Sequence, residues 1–160
     1  MKLTSTNPSH NYEVIGEVEA STEQDVKDAV AKARSAQPAW AAFTQDERNK
    51  AVASFVEVCK QHGDELAELM SKEMGKPITQ SRAQVGELVE YFEAEMAMAD
   101  KALAPEVVFE NDSERHHLTR EPLGVVVCIT PWNFPILNIP WQAGQALLAG
   151  NTILYKPPRK

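Results

Sequence analysis

Cysteine is scarce in this chain. Its 160 residues hold two, Cys59 in the helical pattern Phe55-Val56-Glu57-Val58-Cys59 and Cys128 in the apolar run Val125 to Ile129. Two thiols in such different settings build no disulfide framework, and both read as buried small hydrophobes of a reducing compartment. Neither sits at a loop or helix N-terminus beside a base, so neither is a candidate nucleophile. The seven glycines, at 16, 63, 75, 86, 124, 144 and 150, nowhere form G-x-G, which excludes the Rossmann fingerprint and the Walker loop. No apolar stretch approaches the ~18 residues that span a bilayer. Met1 to Thr6 lacks the apolar core of a secretory signal, so a soluble, cytoplasmic protein is expected and the glycosylation triplet Asn111-Asp112-Ser113 is idle. Positive charge is also short. With 16 Lys+Arg against 23 Asp+Glu the net charge is −7, which argues against non-specific binding to nucleic acid. Neighbouring His116 and His117 point to opposite faces of a predicted hairpin, while His10 and His62 stand alone, so no metal site is expected.

What remains is ordinary globular material, 43% hydrophobic and 24% charged, in a chain long enough to bury roughly 70% of its unfolded surface. Met1 to Ala20 reads as two short strands carrying Tyr12, Val14, Ile15 and Val18, punctuated by Asn7-Pro8 and Gly16. Ser21 offers a cap with Gln24 as its capping-box partner; the helix that follows carries Val26, Ala29, Val30 and Ala33 and stops at Gln37 before Pro38. A second helix begins at Thr44, with Glu47 as reciprocal partner, buries Ala51, Val52, Phe55, Val56 and Cys59, and ends at Gly63. A third runs from Asp64 with Leu66, Leu69 and Met70, closed by Gly75-Lys76-Pro77. The fourth, from Thr79 to Leu103, shows a core stripe of Val85, Leu88, Val89, Phe92, Met96 and Ala99, with Glu87, Glu90, Glu93 and Glu95 read as a solvated face.

After Pro105 the pattern changes to strands Glu106–Glu110 and Glu114–Glu121 around an Asn111-Asp112-Ser113 turn. Gly124 to Ile129 is continuously apolar and β-branched, as in a parallel strand buried on both faces. Helical spacing (Ile139, Ala143, Ala146, Leu147) and a strand Thr152–Tyr155 complete one strand–helix–strand unit. Two lone parallel strands leave two edges and a bare face, so the expected fold is the opening of a larger α/β protein, prone to aggregate as an isolated piece. Three segments are delimited: 1–104, 105–121 and 122–160. Pro131-Trp132-Asn133-Phe134-Pro135 follows the carboxyl end of the buried strand, where parallel sheets bind ligands. The Asn133 amide donates two hydrogen bonds without carrying charge, which suits a developing oxyanion; the competing reading is a helix cap or turn bond. Lys156 either reaches ligand hydroxyls or phosphates or is a solvated strand end.

Several segments together resemble the N-terminal part of the NAD(P)-dependent aldehyde dehydrogenase superfamily: Asn7-Pro8; Ile15-Gly16; Ala36-Gln37-Pro38-Ala39-Trp40; Glu73-Met74-Gly75-Lys76-Pro77; Glu121-Pro122-Leu123-Gly124-Val125; Thr130-Pro131-Trp132-Asn133-Phe134-Pro135; and Leu148-Ala149-Gly150-Asn151-Thr152 with Lys156-Pro157. The resemblance covers essentially all 160 residues, and its Glu73 to Pro77 stretch is most similar to the succinate-semialdehyde branch. It implies an α/β fold made of helices, a β-hairpin and the first strand–helix–strand unit of a Rossmann-like sheet, here incomplete. It also implies that Asn133 is the side-chain half of an oxyanion hole. Thr130, Pro131 and Trp132 would lie along NAD or NADP, and Lys156 would bond its adenosine ribose. Phe134 and Trp141 would line an aldehyde tunnel, with Asn138 a polar wall favouring a polar or acidic aldehyde. The hairpin from Glu106 to Glu121 would join a homo-oligomer's shared sheet.

Two departures are expected to matter. Arg159 stands where the family usually has an acid that bonds the ribose; it would admit a 2′-phosphate, or the last residues are a frameshift, which is the favoured reading. The family's catalytic Cys and general-base Glu lie beyond residue 160, so the chain alone is expected to be inactive, with weak or absent cofactor binding. The alternative is a non-catalytic module that joins a full-length dehydrogenase subunit through the long helix and hairpin. A stand-alone nucleotide binder ranks third.

Overall fold

A computed structural model describes residues 1–158; Arg159, and with it the expectation of a 2′-phosphate contact, lies outside the described residues. The chain opens with an antiparallel hairpin of β1 (Lys2–Asn7) and β2 (Glu13–Glu19), followed by α1 (Glu23–Ala41), α2 (Gln45–Gln61), α3 (Gly63–Met74) and α4 (Ile78–Ala102). A second hairpin pairs β3 (Glu106–Glu110) with β4 (Arg115–Leu118). Last come β5 (Val125–Ile129), a π-helix (Ile139–Gly144), α5 (Gln145–Leu148) and β6 (Thr152–Lys156), with β5 and β6 parallel in the register Val125↔Thr152 to Ile129↔Lys156.

The core lies where α2 and α4 meet the π-helix and α5. Val52, Val56 and Cys59 of α2 pack on Leu88, Phe92 and Ala99 of α4 and on Leu137 and Leu148. The Thr44–Glu47 capping box forms as the sequence predicts, with each partner's side chain bonded to the other's backbone N–H. At α1 the reciprocal pair is instead Thr22 with Asp25, one residue beyond the expected Ser21–Gln24. That helix also runs through Pro38 to Ala41 rather than ending at Gln37. The bond lost at Pro38 is offset by tertiary contacts of the extra turn, because Trp40 Nε1 donates to Leu147 O at 3.0 Å. Arg48 Nε donates to Leu148 O at 2.9 Å, so α1 and α2 both bond carbonyls at the end of short α5. Thr152 Oγ1 donates to Ala33 O at 2.9 Å, seating β6 on α1.

Other expectations change. β4 stops at Leu118 rather than Glu121. Phe55 and Leu69, expected inside, are exposed, and α1 buries no residue fully although Val26 to Ala33 share a face. β5 is buried on one face only: Cys128 is enclosed, whereas Val127 is 58% and Ile129 69% exposed. An all-apolar run records that a strand needs cover, and within these residues α1 supplies it on one side. The solvated-face reading fails at Glu95, which is only 7% exposed. Glu95 follows Phe92 by three residues and precedes Ala99 by four, so helical geometry places it on the core stripe.

Candidate functional site

Two prolines and one buried amide shape the loop after β5. Thr130 extends the parallel ladder: its N–H donates to Lys156 O at 3.4 Å, and its Oγ1 lies 3.2 Å from that oxygen and 3.3 Å from Tyr155 Oη. Burial raises the Tyr155 phenol above its ordinary pKa against the opposing Thr130 bond, so it remains a neutral donor, 3.4 Å from Pro135 O. Asn138, 4% exposed, spends Nδ2 on Phe134 O at 2.6 Å and Pro131 O at 3.2 Å. It therefore ties the loop on both sides of Asn133, while its Oδ1 lies 3.5 Å from Gln142 Nε2.

Within that clamp Asn133 is exposed, and its amide has no partner among the described residues. The competing cap or turn bond is not made. Trp132 beside it is 51% exposed. Across the sheet end the Lys156 ammonium is also exposed and, among the described residues, unpaired. Trp132, Pro135 and Lys156 border a groove of about 800 Å³ that they share with the β1–β2 hairpin and α3. The hairpin is held there by Ser5 Oγ, which donates to Glu73 Oε1 at 2.6 Å, and by close approach at Gly75, where a Cβ would lie 2.8 Å from Ser9 Oγ. At φ +70° Gly75 is also the left-handed cap of α3. A dinucleotide fits these donors in kind: a free ammonium for ribose or phosphate oxygens and the unpaired Trp132 N–H for a carbonyl or phosphate. Pro131 has no N–H, and Thr130 has committed its own, so those two shape the wall rather than donate to it.

Phe134 and Trp141 come together, ring centroids 5.8 Å apart, and Tyr91 of α4 meets Trp141 edge-on at 5.5 Å. Trp141 stands on the π-helix, a widened turn of the kind that recurs at functional sites, opened here around Pro140. Behind it Gly144 leaves room for Phe92 and Glu95. Burial pushes the Glu95 carboxyl up to about 7, opposed by a hydrogen bond from Gln145. Both cysteines are buried, with their thiols raised by desolvation, and neither borders the loop groove. Among the described residues no three His, Cys, Asp or Glu side chains converge, and no helix is long and apolar enough to cross a membrane.

The sequence pattern of the Aldehyde dehydrogenase family matches residues 1–160. The chain belongs to the aldehyde dehydrogenase family. It is 38% identical over 161 residues to aminoaldehyde dehydrogenase 2 of Solanum lycopersicum, covering 98% of this chain and 32% of that one. It is 34% identical to the glutarate-semialdehyde dehydrogenase of Pseudomonas putida, covering 95% and 32%. PnpE of Pseudomonas sp. WBC-3, solved with nicotinamide adenine dinucleotide, superposes with a TM-score of 0.88 at 35% identity, over 97% of this chain and 32% of that one. The chain thus spans about a third of the length of these relatives and corresponds to the N-terminal part of the aldehyde dehydrogenase fold.

In this aldehyde dehydrogenase chain the sequence reading brought together Thr130 to Phe134, Trp141 and Lys156 but missed Tyr91, Gly144 and Glu95. For Glu95 the signal was available in its place on the apolar stripe. For Gly144 and Tyr91 nothing in the local pattern marks the contact, because their partners lie on a different element.

Proposed function

We propose that these residues form the oxyanion and cofactor wall of an NAD(P)-dependent dehydrogenase that converts an aldehyde and water to a carboxylate. The observation that carries it is the loop at the end of β5, clamped by Asn138, with an exposed unpaired amide at Asn133, four residues after Ile129, which pairs with Lys156 in the sheet. The Asn133 Nδ2 donates to the aldehyde oxygen as charge builds there, a preorganised donor that costs no rearrangement. The Lys156 ammonium and the Trp132 backbone hold a nicotinamide dinucleotide, which when bound accepts the hydride. Phe134 and Trp141 exclude water from the aldehyde's carbon chain. The relatives named for amino- and glutarate-semialdehydes carry opposite charges on their substrates, so the reading extends to aldehydes as a class, with succinate semialdehyde one member to assay.

Cys59 and Cys128 are buried, and their raised thiols are not poised as nucleophiles, so the 160 residues by themselves form no NADH from an aldehyde. The test is NADH absorbance with a panel of aldehydes against an Asn133→Ala control, paired with NAD titration of the Trp132 and Lys156 resonances. Aldehyde-dependent NADH above the control overturns the assignment of the nucleophile elsewhere. NAD shifts that survive Lys156→Ala unchanged overturn the cofactor wall. The β3–β4 hairpin is exposed along its whole length, which favours a second role in joining a dehydrogenase subunit; co-purification with an intact aldehyde dehydrogenase tests it.

A further inference from the structure

We propose that Glu95 is a positioning residue for the aromatic wall, its protonation setting how closely α4 packs on the π-helix and so where Trp141 stands. The inference rests on the reading of Phe134 and Trp141 as the aldehyde wall. Glu95 projects from α4 into the seam with the π-helix and α5. Its Oε1 accepts from Gln145 Nε2 at 3.2 Å, and its Oε2 is buried with no partner among the described residues. The seam is tightest at Gly144, where a Cβ would lie 2.7 Å from Glu95 Oε2 and 2.8 Å from Phe92 Cε1. Four residues before Glu95 on the same helix, Tyr91 meets Trp141 edge-on at 5.5 Å. One face of α4 therefore touches both the acid's seam and the wall.

A carboxylate holding a single hydrogen bond sits in that seam at a higher cost than a neutral carboxyl. Ionisation draws water toward Oε2 or pushes Gly144 away, and Trp141, three residues back on the same turn, moves with it. Burial brings the titration to about 7, so both forms are populated near neutrality. The titratable and charged groups along the seam are few. α4 itself contributes the Tyr91 phenol, and α2 contributes the buried Cys59 thiol. The α2 cation Arg48 is committed to Leu148 O, Phe43 O and Gln45 Oε1, and Lys60 pairs with Glu93 at the surface. The π-helix and α5 present Trp141, Gly144 and Gln145, none of which titrates. The forces acting on Glu95 are burial and the Gln145 amide.

The experiment is a pH titration of the isotopically labelled chain, following the Trp141 indole N–H and the Gly144 amide, with Trp141→Phe as the assignment control. Both resonances are expected to shift with one midpoint near 7, a shift that Glu95→Gln abolishes while leaving the fold intact. Gln145→Leu removes the bond that lowers the pKa and is expected to move the midpoint up. A titration that persists in Glu95→Gln, or a Trp141 signal indifferent to pH, overturns the proposal. Adding butanal to the unmodified chain tests the wall separately. If Trp141 ignores butanal yet follows Glu95, the positioning role stands and the wall reading falls.

Discussion

Replacing Gly144 with alanine puts a Cβ 2.7 Å from Glu95 Oε2 and 2.8 Å from Phe92 Cε1. Both neighbours are buried, and Phe92 is wedged edge-on against Phe55 with centroids 5.8 Å apart, so neither swings aside freely. Comfortable carbon contacts begin at about 3.5 Å, so α4 and the π-helix must separate by several tenths of an ångström. Overpacking of this kind costs about 1–3 kcal/mol, and the gain in backbone propensity from glycine to alanine returns up to about 1 kcal/mol. The expected net loss is about 1–2 kcal/mol, or roughly 2–8 °C in Tm for a chain of this size. Urea and thermal unfolding followed by circular dichroism measure it. In a Phe92→Leu background, where the aromatic edge is gone, the same substitution is expected to cost less, a coupling of about 1 kcal/mol. Equal costs in the two backgrounds, or an alanine variant as stable as the parent, would refute the close-approach argument.

Three further predictions concern the same framework. Because the Glu95 pKa is raised from 4.5 to about 7 in the fold, the folded state binds more protons between those values; stability therefore falls as pH rises through that window and levels off above it. Glu95→Gln removes this slope and is expected to be more stable than the parent above pH 7 by about 2 kcal/mol, allowing for solvent screening at the seam; parallel denaturation curves in acid and base check it. Asn138→Leu leaves the Pro131 carbonyl without its donor and the Phe134 carbonyl with only the backbone N–H of residue 138, and is expected to cost about 1–3 kcal/mol, with broadened Asn133 resonances; an unchanged loop spectrum contradicts the clamp. Arg48→Ala strips the Leu148 carbonyl at the end of α5 and is expected to cost about 1–3 kcal/mol, with hydrogen exchange accelerating first in β6.

The loop that bears Asn133 was legible because its signals are local. The Pro131 to Pro135 loop follows a β-branched run, and strand ends in parallel sheets are where ligands sit, so position and chemistry coincide in one stretch. Thr44 and Glu47 lie three residues apart, which is the whole geometry of a capping box. The hold that Asn138 has on the loop was not legible, because it depends on where two carbonyls of the loop turn, four and seven residues away, which residue type alone does not reveal. Pro38 was misread as a stop because the local cost was visible and the compensating bond, from Trp40 to a carbonyl 107 residues away, was not.

The sequence by itself determined the order and type of the elements, the loop that bears Asn133 and the family, since periodicity, turn residues and short motifs are properties of neighbours along the chain. Only the tertiary structure decided that β5 has one covered face, that Glu95 is enclosed and that Tyr91, Trp141 and Phe134 meet. These depend on which surfaces approach from distant segments. Burial is what turns an ordinary glutamate into a group that ionises near neutrality.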